Sequence, residues 1–287
     1  MYLIQRLLRT GLSCLLAVSV TLSCFFGGNA VYVSVQARKA NRQQEELHNI
    51  YHSGQEVELP PEEEWIEPRL ASLRAINSDL VGWLELGGEE GGFAAPVVQR
   101  DNAYYLKHDF YGREDRHGAV FLDYRNDTDP NDDNLILYGH NMNDGAWFHY
   151  LVNYQDPAFV AEHPIIGFDT LREEGEYAVI GVFVAATLPQ HGDDFDYHNQ
   201  VRFQTIEDKQ DYLDRVRRRS LLDTGVEVTT RDELLTLSTC LYDFAGERLV
   251  VVARRLREGE TAASFATLPV ARSASPEMPA IWNQLYG

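Results

Sequence analysis

The stretch Leu234-Leu235-Thr236-Leu237-Ser238-Thr239-Cys240 is a β-type run that ends in a thiol, and Arg248-Leu249-Val250-Val251-Val252-Ala253 is a second such run close behind it. Apolar and β-branched side chains at this density favour extended backbone. Working outward, Trp83–Leu86, Ala95–Val98, Ala119–Tyr124, Leu135–Tyr138 and Tyr177–Ala186 have the same character, and Gly-, Asp- and Asn-rich segments separate them. That rhythm predicts a β-barrel or sandwich. Thr205–Leu222 differs: Ile206, Leu213, Val216 and Leu221 recur at roughly helical spacing, which places one helix between two late strands. No internal repeat is present.

Cys240 is the only thiol outside an apolar N-terminal stretch that holds Cys14 and Cys24. There is therefore no disulfide framework and no CxxC pair for a metal. A lone cysteine at the end of a strand is either a buried structural residue or a nucleophile. The second informative segment is Asn134-Leu-Ile-Leu-Tyr138-Gly139-His140-Asn141-Met142, in which a strand runs out at Gly139-His140. A histidine there, before a turn that glycine permits, can point into a cleft. None of the other eight histidines (His48, His52, His108, His117, His149, His163, His191 and His198) pairs a strand end with such a glycine. The order His140, Cys240, Arg248 then offers a proton carrier, a nucleophile and a permanently charged fork able to hold a developing oxyanion. A free thiol titrates near ~8.5, so such a site also needs surroundings that make thiolate available. The acidic run Asp123–Asn134 fails as a calcium loop. With Asp127 in the first position, Asp132 stands where glycine is needed and Tyr138 where a bidentate glutamate is needed, so the run reads as a solvated turn.

The 287 residues include 44 acidic and 25 basic side chains, a net charge of −19. The first forty hold Arg6, Arg9, Arg38 and Lys39 and no acid, so the remainder is more acidic still. Nucleic acid is excluded as a partner, since phosphate binding needs a basic face. From Thr10 to Gln36 no side chain is charged, a length exceeding the ~20 residues that cross a bilayer core. A retained anchor and a signal peptide ending near Gly28-Asn29-Ala30 compete, and the uncharged length favours the anchor. Arg6 and Arg9 on one side balance Arg38, Lys39 and Arg42 on the other, so charge assigns no orientation. Beyond it lies a polar tether, in which Gln43–Glu46 open a helix and Pro60-Pro61 break it.

Several segments together resemble class B sortases: Leu234–Cys240, Arg248–Ala253, Asn134–Leu151, Asn77–Trp83, Ala95–Gln99 with Asp101-Asn102, and Gly118–Arg125. The resemblance runs in order from about residue 70 to 256. It implies a mainly β fold, an eight-stranded barrel with N-terminal helices and a helix before the cysteine-bearing strand. It implies catalytic roles for Cys240 as nucleophile, His140 as acid/base and Arg248 as oxyanion support, with Ser238 and Thr239 as substrate-binding candidates whose competing role is strand pairing. No metal or organic cofactor is implied. The parts become a cytoplasmic segment 1–9, a transmembrane anchor 10–36, the tether 37–69, a catalytic domain 70–257 and a loosely held tail 258–287. The implied enzyme is a single-pass membrane protein with its N-terminus inside and its catalytic domain extracellular. It would cleave the C-terminal sorting signal of secreted proteins and pass the acyl group to an amine of peptidoglycan or its lipid-linked precursor. The same triad would serve a hydrolase that gives the acyl group to water, or a polymerising enzyme that uses a pilin lysine.

Overall fold

A computed structural model describes residues 28–53, 65–88, 92–142 and 147–286. The chain divides into two compact units, 1–43 and 44–287. Within the first, residues 28–43 are helical. The second is built on β1 (Leu80–Leu86), β2 (Phe93–Val98), β3 (Val120–Leu122), β4 (Asn134–Tyr138), β5 (Ile165–Thr170), β6 (Glu176–Ala186), β7 (Leu222–Asp223), β8 (Leu234–Cys240) and β9 (Glu247–Arg255). Eight of these close into a barrel in the order β1-β2-β3-β4-β8-β9-β6-β5, with β7 outside it. Closure gives every barrel strand a partner on both sides over at least part of its length. Two pairings are parallel, β2 with β3 and β4 with β8; the second brings the ends of both informative sequence segments side by side.

The apolar runs of the sequence correspond to seven of the barrel strands, and β5 is the additional one. Gly167 and Asp169 depress its β-propensity, yet Ile166, Phe168 and Thr170 alternate inward and it pairs with both β1 and β6. One apolar core gathers around Trp83, which is fully buried, stacks on Tyr51 at 4.3 Å between ring centroids and donates its indole N–H to Glu85 at 2.8 Å. Tyr51 and Leu47 reach that core from the helix α1, which spans residues 28–52 and so starts well before the expected Gln43. A short helix α2 (Pro68–Ile76) adds Leu70 and Leu73 to the same cluster.

Two more helices lie between strands, α3 (Pro157–Glu162) and α4 (Ile206–Arg219). The latter carries the predicted helix and starts at a capping box, with Thr205 and Asp208 each accepting the other's backbone N–H. Its apolar face differs from the expected one. Ile206 is 70% exposed, and the buried positions are Tyr212, Leu213 and Val216 together with Lys209 and Arg219. The two buried cations are tolerated because each meets a carboxylate: Lys209 Nζ lies 3.0 Å from Asp133 and Arg219 Nη2 lies 2.7 Å from Asp193.

The tail 258–287, expected to be loosely held, is tied down at several points. Its Glu260 grips the buried Arg254 of β9 with two hydrogen bonds of 2.6 and 2.8 Å, and Phe265 is buried beside them. A two-residue strand β10 (Ala271–Arg272) pairs with β7, Glu277 meets Arg218, and a last helix α5 (Ala280–Tyr286) follows. The Ala- and Pro-rich composition concealed this because a few side-chain clamps, not a periodic face, do the holding. The acidic run after β3 is a turn organised by Asp132, which accepts the Asp127 N–H at 2.7 Å. Of the anticipated anchor 10–36, residues 10–27 lie outside the described residues, as do 1–9 and the Pro60-Pro61 break. Among the described residues no helix is long and apolar enough to cross a membrane.

Candidate active site

Strand register brings the expected residues together. Cys240 is the last residue of β8, partly exposed, and stands directly opposite Arg248 across the antiparallel β8/β9 pair. On the other flank of β8, Tyr138 of β4 pairs with Ser238, so the chain leaving β4 carries Gly139 and His140 alongside Thr239 and Cys240. His140, Cys240 and Arg248 line one cleft of about 400 Å³, with Ser238 and Thr239 in its wall. Directly opposed residues on neighbouring strands have Cβ atoms roughly 4.5–5.5 Å apart, which explains how positions distant in sequence meet.

Gly139 is needed here for a reason other than turn freedom. Its backbone is not in the left-handed region, but a Cβ would lie 2.8 Å from the Phe148 ring. The ring packs against the backbone just before His140 and leaves that histidine to turn toward the cleft. The His140 Nε2 is 2.9 Å from the Leu106 carbonyl oxygen. A carbonyl only accepts, so Nε2 bears a hydrogen, which leaves Nδ1 as the ring position that can exchange a proton. Leu106 thus fixes both the tautomer and the ring plane.

The backbone of Cys240 is held as well. Asn141 is buried and donates its Nδ2–H to the Cys240 carbonyl at 2.9 Å, while its Oδ1 accepts from His149 Nδ1 at 2.8 Å. The Thr239 hydroxyl donates to the Gly139 carbonyl at 2.8 Å, and the Ser238 hydroxyl shares a 2.7 Å hydrogen bond with Tyr197. Both hydroxyls therefore join strand ends to their surroundings while facing the cleft. Arg248 Nη1 donates to the Glu247 carbonyl at 2.9 Å, which steadies the guanidinium.

Charge in the site is set by this enclosure. Burial pushes the Tyr197 hydroxyl up to about 12; the Ser238 hydrogen bond and the Arg248 charge act against that, and Cys240 adds to it. Tyr197 is accordingly neutral at any ordinary pH and serves as a hydrogen-bonding wall. Burial likewise raises the Glu247 carboxyl above the usual range. Glu247 is fully buried next to Arg248, and its Oε2 accepts the Asp243 N–H at 2.8 Å in the loop that follows Cys240.

Neither Asn141 nor Tyr197 nor Glu247 stood out in the sequence. Asn141 immediately follows the histidine and is the one of the three with a usable local signal. Tyr197 comes from the long loop between β6 and α4, whose position no periodicity encodes. The arrangement is a thiol, an imidazole and a guanidinium opening on one groove, which is the equipment of acyl transfer through a covalent intermediate.

The sortase domain family matches residues 89–256. Sortase B of Staphylococcus aureus is 30% identical over 241 residues, covering 83% of this chain and 93% of that protein. Sortase B of Listeria monocytogenes is 35% identical over 189 residues, 65% of this chain and 73% of that one. Among solved structures, a Staphylococcus aureus sortase B–substrate complex superposes with a TM-score of 0.66 at 30% identity, covering 78% of this chain and all of the other.

Proposed function

The chain belongs to the class B sortases, which are cysteine transpeptidases, and on that premise we propose that Cys240, His140 and Arg248 carry its reaction. In this reading the Cys240 thiol passes its proton to His140, and the thiolate attacks a backbone carbonyl of a C-terminal sorting signal on a secreted protein. The carbonyl oxygen becomes an oxyanion held by Arg248. The C–N bond then breaks, the departing amine takes a proton from His140, and the acyl group remains on sulfur as a thioester. An amine of peptidoglycan or its lipid-linked precursor attacks that thioester, His140 accepts its proton, and the thiolate leaves. Each step uses protein side chains alone.

The observation that supports this most is the register that sets Arg248 opposite Cys240 and brings the end of β4, with His140, beside both on a single cleft. The uncharged stretch 10–36 supports a retained anchor that holds the catalytic unit at the outer face of a cell membrane. Incubating the protein with a library of candidate sorting peptides and a set of amines, followed by mass spectrometry, tests the transfer. A peptide joined to an amine through a new amide is the expected product. Hydrolysed peptide alone, at every amine concentration, would instead identify water as the acceptor. Protein isolated from membranes should begin ahead of residue 10; an N-terminus near Val31 would mean that the stretch is cleaved.

A further inference from the structure

Bonded to the cleft wall is an ion pair, a buried Asp123 and a partly exposed Arg125, that the reaction does not use. Asp123, with no exposed surface, accepts the Arg125 Nε–H at 2.8 Å and an Nη2–H at 2.7 Å, together with the Arg125 backbone N–H at 3.0 Å. Its Oδ2 also accepts from Asn102 Nδ2 at 2.9 Å and from the Tyr138 hydroxyl at 3.1 Å. The outer end of the guanidinium reaches across to the loop between β6 and α4, donating from Nη2 to the His198 carbonyl and from Nη1 to Asn199 Oδ1. Three residues bonded to this pair, Asn102, Tyr138 and His198, line the cleft, and each comes from a different segment of the chain. The same loop is held near its start by the buried Arg219–Asp193 pair, and on either side of residues 198–199 by the Tyr197–Ser238 bond and by Asn134 Nδ2, which donates to the Gln200 carbonyl at 2.9 Å; Arg125 supplies the tie at 198–199 themselves. Burial disfavours an ionised Asp123, yet the Arg125 hydrogen bonds, with those from backbone and Asn102, hold its carboxyl below the usual range. The pair is therefore ionic at neutral pH, which makes its bonds the strong, charge-assisted kind.

We propose that Asp123–Arg125 is a positioning pair that sets the width of the peptide groove by latching residues 197–199 onto the barrel, so that peptide recognition depends on it while thiol reactivity does not. This rests on the reading of Cys240 as the nucleophile. Arg125 touches neither Cys240 nor His140 by any bond described above. Its reach is to the wall that carries Tyr197 and His198. Lysine at 125 would supply a point charge without the fork that spans Asp123 and the loop together.

The test uses Arg125→Lys and Asn199→Ala, the latter removing one loop-side bond while leaving the Asp123–Arg125 pair whole. Three quantities are read: KM and kcat for a peptide that the unmodified enzyme cleaves, the rate at which iodoacetamide alkylates Cys240, and hydrogen–deuterium exchange over residues 195–200. In Arg125→Lys, KM should rise roughly tenfold or more, the scale of losing a charge-assisted hydrogen bond. Exchange in the loop should speed up, and the alkylation rate and kcat should stay within about twofold. Asn199→Ala should move KM and exchange in the same direction by less. Unchanged KM and loop exchange in both variants would overturn the proposal, as would a fall in kcat that follows the alkylation rate. Should Arg125→Lys fail to fold, Asn199→Ala decides alone by the same criteria. Failure of the nucleophile reading would look different, since it leaves Cys240→Ala active whatever residue 125 is.

Discussion

Arg248 and Cys240 face each other across two paired strands, so what the arginine contributes is set by its shape as well as its charge. Arg248→Lys keeps a cation but loses the planar two-point donor, and turnover should fall by roughly 10²–10³-fold, the loss typical of an oxyanion donor. His140→Ala should cut turnover by about 10²–10⁴-fold, because leaving-group protonation is lost, while iodoacetamide still alkylates the thiol. Steady-state assays beside alkylation rates separate the two; near-normal turnover in Arg248→Lys would remove Arg248 from the mechanism. The neighbouring Glu247 gives a pH-dependent expectation. Burial raises its folded pKa, so the stability it contributes is complete below the ordinary glutamate value near ~4.3 and is lost as pH rises through the raised one. Glu247→Gln, which still accepts the Asp243 N–H, should therefore melt higher than the parent at pH 7–8 and at nearly the same temperature around pH 4. Melting curves that differ by a constant amount at every pH would show that ionisation of Glu247 has no part in stability.

At the scale of elements, the strands that carry chemistry were the most legible. β4, β8 and β9 are dense in β-branched and apolar side chains because they are buried on both sides, and that density is visible in the sequence. β5 was not legible, since Gly167 and Asp169 are chosen for outward positions and say nothing of the neighbours that pair with them. The extent of α4 was legible from spacing, but its buried face was not: Lys209 and Arg219 are inside only because Asp133 and Asp193 come from distant parts of the chain. The tail follows the same logic. Arg254 is almost wholly buried and donates two of its hydrogen bonds to Glu260. Glu260→Ala should destabilise the fold by roughly 1.5–3 kcal/mol, the range for hydrogen bonds to charged groups, the lower part being expected because Glu260 is partly exposed. Chemical denaturation of the two proteins measures this, and equal midpoints would mean that the tail is as loose as its composition suggests.

Across the whole molecule, a barrel with eight strands places the ends of β4 and β8 in parallel and the start of β9 antiparallel to them, so one mouth of the barrel collects His140, Cys240 and Arg248. In the sequence, Cys240 and His140 stood out because each closes a β-type run and Arg248 because it opens the next, while the roles given to them came from the family resemblance. The groove around them did not, since its walls at Asn102, Tyr197 and His198 come from loops that meet the strand end at Tyr138 only through long-range bonds such as that from Arg125 to the His198 carbonyl. The central claim is that the acyl group passes through the sulfur of Cys240. Intact-protein mass spectrometry during cleavage of a sorting peptide, with no amine added, tests it most directly. The wild-type chain should gain the mass of the acyl fragment on Cys240, lose it on adding hydroxylamine, and show no such gain as Cys240→Ala. Cleavage by Cys240→Ala at the wild-type rate, or an acyl adduct that persists in that variant, would contradict the account.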